Sequence, residues 1–216
     1  MKSNKRILFS LILTLIIVGL GFVFLTRKLT RKETSSNLKQ YEEIWNVKIV
    51  AGDIYKVYDS AKKELLVSKT DIDDEVIENF VVVTLSPDRS KICFVGQSMV
   101  PQWLYYANID GSGITQIGLG KNCVWSNSSQ KIAYNNHTTD VSPVDVLVYD
   151  LLLKSTKNYT ADVQSTNLIR AYESPVWSEN DNEITSKFSS LAMDGTGTTK
   201  GGTSMIDLAS GQISDK

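Results

Sequence analysis

One plan occurs three times in this chain, and it restricts the fold more than any other feature. Leu85-Ser86-Pro87-Asp88-Arg89-Ser90-Lys91-Ile92-Cys93-Phe94 is followed by Val124-Trp125-Ser126-Asn127-Ser128-Ser129-Gln130-Lys131-Ile132-Ala133-Tyr134 and then by Val176-Trp177-Ser178-Glu179-Asn180-Asp181-Asn182-Glu183-Ile184-Thr185. Each copy sets an apolar residue before a serine, a polar turn after it, and an isoleucine within a short strand. The serines stand at 86, 126 and 178, a step of 40 residues and then one of 52. Between the copies, aromatic and β-branched runs at 103–110, 114–117, 146–150 and 205–208 are closed by turn residues such as Gly111-Ser112-Gly113 and Ala209-Ser210-Gly211, which reads as hairpins. Units of about 40–45 residues holding several short strands predict an all-β fold built from β-propeller blades. The longer second step predicts a loop insertion within residues 152–174.

The three copies resemble the TolB-type, WD-like propeller repeat of bacterial periplasmic and surface proteins. In that family a blade opens with a Trp-Ser-Pro-Asp-Gly-like turn and continues as a Lys-Ile-Ala-Phe/Tyr-like strand. Ser86-Pro87-Asp88 with Lys91-Ile92-Cys93-Phe94 matches this, as does Trp125-Ser126 with Lys131-Ile132-Ala133-Tyr134; Trp177-Ser178 with Glu183-Ile184 matches less closely. No copy keeps the glycine of the turn. The resemblance covers residues 54–216. It implies a domain outside the cytoplasm, with Trp125 and Trp177, at equivalent positions, packed between blades.

The N-terminal part has a different character. Residues 7–25 carry no charge and are dominated by Leu, Ile, Val and Phe. As a helix rising about 1.5 Å per residue they span roughly 28 Å, the thickness of a bilayer core. The run is longer than a signal-peptide core and no small-x-small cleavage site precedes Thr26, so residues 7–26 are expected to be an uncleaved transmembrane anchor behind a short cytoplasmic segment, 1–6. Basic residues flank both ends, Lys2, Lys5 and Arg6 before it and Arg27, Lys28, Arg31 and Lys32 after it, so charge does not orient it. Residues 27–46 read as a juxtamembrane tether in which Leu38, Tyr41 and Trp45 have helical spacing.

Residues 47–216 are expected to hold the propeller repeats. Ile54-Tyr55-Lys56-Val57-Tyr58-Asp59 and Glu64-Leu65-Leu66-Val67 read as the outer hairpin of an incomplete blade, and Phe80-Val81-Val82-Val83-Thr84 as an inner strand buried on both faces. At about 42 residues per blade the length suits about 3.5–4 four-stranded blades, a small or partial ring. A partial ring is expected to expose the apolar face that carries Trp125 and Trp177, a liability for association.

Chemistry is sparse. The net charge of −1 gives no basic surface for nucleic acid. The single histidine, His137, has no Gly-x-Ser-x-Gly partner, and with Cys93 and Cys123 it makes no zinc-ligand spacing, so neither enzyme activity nor any metal or cofactor is expected. Cys93 and Cys123 fall in strands of adjacent blades and are expected to be buried thiols, a disulfide being the alternative outside the cytoplasm. Asn127, Asn136 and Asn158 each begin an Asn-x-Ser/Thr sequon.

In a propeller the loops between the second and third strands of every blade share one face. Here these are residues 96–102, 135–143 and 190–203, which are longer and less repetitive than the opposite turns. Gln97, Trp103, His137, Asp140 and Asp194 are therefore the candidate partner-binding residues. The expected function is a membrane-anchored, extracytoplasmic, non-catalytic module that binds a protein, peptide or envelope glycan. A fragment or accessory subunit of a dipeptidyl-peptidase-like propeller hydrolase is the alternative, and a homodimer that completes one ring is a third.

Overall fold

The computed structural model describes residues 44–73, 76–98, 101–136, 144–161, 168–192 and 199–216. The expected membrane span and most of the expected tether lie outside these residues. Among the described residues no helix is long and apolar enough to cross a membrane.

Fifteen described strands form four antiparallel sheets, each with its strands in chain order. The first sheet is β1 (Trp45–Val50), β2 (Asp53–Tyr58) and β3 (Lys63–Val67); the second is β4 (Asn79–Leu85), β5 (Lys91–Gln97), β6 (Gln102–Asn108) and β7 (Thr115–Leu119). The third is β8 (Lys121–Trp125), β9 (Lys131–Asn135), β10 (Val146–Asp150) and β11 (Ser155–Asn158). The fourth is β12 (Leu168–Trp177), β13 (Glu183–Ala192), β14 (Thr199–Asp207) and β15 (Ile213–Asp215). Core clusters lie between consecutive sheets. Because side chains alternate along a strand, β5 sends Ile92 and Phe94 into the cluster shared with the first sheet and Cys93 and Val95 into the one shared with the third. A sheet covered on both faces explains why Lys91-Ile92-Cys93-Phe94-Val95 reads as a continuous apolar run after its lysine.

The repeated serine closes the same turn three times. The N–H groups of Ser86, Ser126 and Ser178 donate to the carbonyls of Lys91, Lys131 and Glu183 at 2.9, 2.9 and 3.0 Å. Each serine Oγ then accepts the N–H of that same partner at 3.0 Å. Three residues after the serine, Arg89, Ser129 and Asp181 have φ of 60°, 60° and 58°. This left-handed position is where the resembled family carries glycine, and here it holds side chains that reach the preceding sheet. Arg89 Nη2 donates to the carbonyl of Trp45 at 2.6 Å, and Ser129 Oγ accepts the N–H of Asp88 at 3.0 Å. The Asp181 carboxylate accepts the N–H groups of Asn127 at 2.7 Å and Ser128 at 2.8 Å. The strain of a non-glycine residue at positive φ is thus offset by a bond between sheets.

Burial alone raises the Asp181 carboxyl, but hydrogen bonds from Ser128 and Asn127 outweigh it and hold the group below its ordinary value. A depressed folded-state value means that the contribution is complete above the unfolded value and is lost as pH falls through the folded one, below about 4. Asp181→Asn is expected to cost about 1–2 kcal/mol at neutral pH. Urea midpoints of the two proteins should converge as pH falls below about 4; a constant gap would show that the carboxylate charge is irrelevant.

The indole of Trp125 donates to the Thr84 carbonyl at 3.3 Å and that of Trp177 to the Val124 carbonyl at 3.1 Å, the same register one sheet further on. Both tryptophans pack between sheets as expected. Cys93 and Cys123 are not free thiols: they form a disulfide between β5 and β8, with Cα atoms 6.1 Å apart. Strand placement alone leaves both states open, and only the facing of the second and third sheets brings the two sulfurs together. Two sequons are also taken up, with Asn127 Nδ2 donating to Ser178 and Asn158 Nδ2 to Asp145.

The first sheet departs from the others. The carbonyl at the start of β1 receives Arg89 from beyond the end of β4, while the Gly52 carbonyl after β1 accepts the N–H of Phe80 at the start of β4. β1 therefore runs against β4, whereas β8 and β12 run with it, so β1 holds the second-strand position. β2 and β3 are the outer hairpin, as expected, and the inner strand is the one missing from the described residues of this sheet. Trp45 and Asn46 belong to β1 rather than to a helical tether, because Trp45, Val47 and Ile49 alternate onto the face that packs on β4. β4 is also less covered than expected: Phe80 is buried, but Val81 is 40% exposed and residues 82–85 are half-buried.

The two ends of the row are protected in different ways. On β13, Ile184, Ser186, Phe188 and Ser190 face the third sheet, while Thr185, Lys187, Ser189 and Leu191 face solvent. The last sheet thus turns a mainly polar face outward, and Trp125 and Trp177 are not exposed as the partial-ring expectation had it. At the other end the open edge of β1 is partly blocked, Arg89 occupying the Trp45 carbonyl and Asn46 Oδ1 the Val47 N–H. The 52-residue step is filled by the nine residues between β11 and β12, against one between β7 and β8, by the ten between β9 and β10, against four between β5 and β6, and by a ten-residue β12, double the length of β8.

Candidate binding surface

The connections between second and third strands are gathered at the end opposite the serine turns. In the first sheet this connection is Ala51-Gly52, both at positive φ, 52° and 89°, as a two-residue hairpin requires. In the second, Gln97 and Gln102 pair across the hairpin. Of the five candidate residues, Gln97 and Trp103 are described; His137, Asp140 and Asp194 lie outside the described residues. The two described ones do not converge. Trp103 pairs with Gly96 and packs against the cluster of the first sheet, whereas Gln97 alternates onto the other face beside Val95 and is exposed. A shared hairpin end does not imply a shared face, because adjacent strand positions point oppositely. Residues 190–192 and 199–203 are paired strand in β13 and β14 rather than loop.

Sequence patterns missed the best-ordered part of this end. Asp145, 6% exposed, accepts Thr160 Oγ1 at 2.9 Å on one carboxyl oxygen and Asn158 Nδ2 at 2.8 Å on the other. Its backbone N–H donates to Asn136 Oδ1 at 2.6 Å and its carbonyl accepts Asn135 Nδ2 at 3.0 Å. Asn122 Nδ2 extends the chain of bonds to Asn135 Oδ1 at 3.1 Å. Both ends of the 137–143 connection, which carries His137 and Asp140, are thereby fixed by buried side-chain bonds. Asn135-Asn136 and Asn158-Tyr159-Thr160 were the available signals, but polar residues in a loop-rich stretch do not announce burial. Asp145→Ala is expected to cost about 2–3 kcal/mol, since it leaves buried amide and hydroxyl donors unpaired. Chemical denaturation of the two proteins checks this, and a difference below about 0.5 kcal/mol would mean that water replaces the carboxylate.

Other groups are committed or peripheral. The hydroxyls of Ser86 and Ser178 donate to Asp88 and Asn180 while accepting a backbone N–H, so the repeated serines are turn residues rather than nucleophiles. Among the described residues no three His, Cys, Asp or Glu side chains converge as metal ligands. A cavity of about 170 Å³ lies between the first two sheets, lined by Asp71, Ile72, Asp73, Tyr105, Ile114 and Gln116.

Consecutive up-and-down antiparallel sheets, packed face to face and linked outer strand to inner strand, decide the fold. The described residues form a partial β-propeller. It is similar in fold to dipeptidyl peptidase 4 of Porphyromonas gingivalis, with 10% identity over 79% of this chain and 31% of that one, at a TM-score of 0.56. It is also similar to the tricorn protease, with 10% identity over 77% of this chain and 17% of the other, at a TM-score of 0.52. A putative TolB from Agrobacterium tumefaciens matches at a TM-score of 0.49, with 10% identity over 79% of this chain and 76% of that one. The propeller thus spans less than a third of the two peptidase chains. No family model matches the chain. No curated protein matches it either. At these identities the similarity concerns the arrangement of blades alone.

Proposed function

We propose that this chain is a membrane-anchored, extracytoplasmic binding module whose partial propeller presents its loop-bearing end to a protein, peptide or envelope glycan, with no chemistry of its own. The observation that carries this is the buried Asp145 network, which makes a rigid root for the 137–143 connection. Loops on a rigid scaffold are where binding concentrates. The Cys93–Cys123 bond supports an oxidising compartment. Photo-crosslinking residues placed at Gln97 and Asp140 in the full chain, in its own cells, test the proposal. A discrete adduct from these sites and none from Lys154, in the turn at the opposite end, is expected; adducts from all three sites alike, or from none, would overturn it.

The second proposal is an accessory role beside a peptidase. It is favoured by the peptidases among the structural matches, such as the two described above, whose chains this propeller only partly spans. A serine-hydrolase probe labelling a protein that co-purifies with the chain would favour this role. For the homodimer, the mainly polar outward face of the fourth blade and the partly blocked edge of β1 weigh towards a monomer.

A further inference from the structure

The start of the first blade gathers cations and aromatic rings that no part of the loop-bearing end uses. Arg89 Cζ lies 4.0 Å and Lys56 Nζ 4.3 Å from the centre of the Trp45 ring. Lys56 Nζ also lies 5.2 Å, and Lys62 Nζ 4.9 Å, from the centre of the Tyr58 ring. The single ion pair among the described residues joins Arg170 to Asp215, so none of these three cations is paired with a carboxylate there. Glu64, opposite Lys56 on β3, accepts the Tyr58 hydroxyl at 2.8 Å and keeps its negative charge, so it offsets one of the three cations and leaves the patch positive. Arg89 and Lys62 are exposed, Trp45, Lys56 and Tyr58 are half-buried, and Ile44 beside them is 72% exposed.

We infer that this patch is a contact site for an anionic lipid surface. Ring faces hold the ammonium and guanidinium groups together but do not neutralise them, so positive potential remains for an outside anion. Trp, Tyr, Lys and Arg are the side chains that bilayer interfaces favour. The inference rests on the proposed membrane anchor, which supplies the geometry. The apolar run ends at Leu25 and the described chain begins at Ile44, inside the patch. Eighteen intervening residues reach at most about 60 Å when fully extended, so an anchored chain keeps the patch near the bilayer at an effective concentration on the order of millimolar. At that concentration weak attraction suffices, about five-fold per cation on an anionic surface.

The test uses the full chain mixed with phosphatidylcholine vesicles, with or without phosphatidylglycerol. Flotation and lysine acetylation are read together, with exposed Lys154 and Lys187 as internal references. Labelling of Lys56 and Lys62 is expected to fall at least five-fold on the anionic vesicles only. It should recover in 0.5 M salt, and Lys62→Glu should abolish the protection at Lys56. Flotation with both vesicles and equal labelling on the two would overturn the lipid site while the anchor stands. Flotation with anionic vesicles alone, with protection, would keep the site and remove the anchor. Flotation with neither would remove both.

Discussion

Trp125→Ala is expected to lower stability by about 3–5 kcal/mol, a large part of what a domain of this size possesses. The side chain is 8% exposed and sits among Val95, Leu104, Cys123, Ile132 and Tyr134 in the cluster between the second and third blades. Alanine removes that contact and leaves the Thr84 carbonyl without its indole donor. Blades touch only their neighbours, so stability is close to a sum of blade and interface terms. Loss of one interface is therefore expected to broaden urea unfolding or split it into two phases, followed by circular dichroism. Trp125→Phe, which keeps most of the packing, should cost about 1–2 kcal/mol and leave one transition. An alanine variant within 1 kcal/mol of the wild type would mean that the blades do not depend on this contact.

Breaking the Cys93–Cys123 bond is the other large effect. It spans the same interface and closes a loop with a sequence separation of 30, for which chain entropy gives about 3–4 kcal/mol. Both residues are almost fully buried, at 0% and 2% exposure, so the native protein should resist reductant until it unfolds. Two measurements decide the matter. The Cys93→Ala/Cys123→Ala protein should unfold at lower urea than the oxidised wild type by that amount. Alkylation of the denatured, unreduced wild type should modify neither cysteine; two modified thiols would refute the bond. Because Trp125 and the disulfide hold one interface, their effects should not add.

Leu85 shows how local sequence can follow a tertiary fact. It occupies the position that Trp125 and Trp177 hold in later blades. A tryptophan there reaches a carbonyl of the preceding inner strand, and the described first sheet offers no such strand. The serine turns were equally legible, since one hydroxyl and one backbone pair close each of them at fixed spacing. The cation–aromatic patch was not, because Trp45, Lys56, Tyr58, Lys62 and Arg89 come from two blades and only strand pairing assembles them.

The sequence by itself determined the all-β class, the repeat, the strand-rich units and the inter-blade role of Trp125 and Trp177. These follow from local periodicity and turn chemistry, which a short window contains. Only the tertiary structure decided that β1 is a second strand, that Cys93 meets Cys123, that Gln97 and Trp103 leave opposite faces, and that Asp145 is buried. The last two are settled within one blade, by the hairpin register of Gln97 and Trp103 and by the bonds of Asp145 to Asn158 and Thr160. The first two depend on which sheet lies against which. That is set by packing between residues some 30 to 55 positions apart, such as Cys93 with Cys123 and Asn127 with Asp181, and no local pattern encodes it.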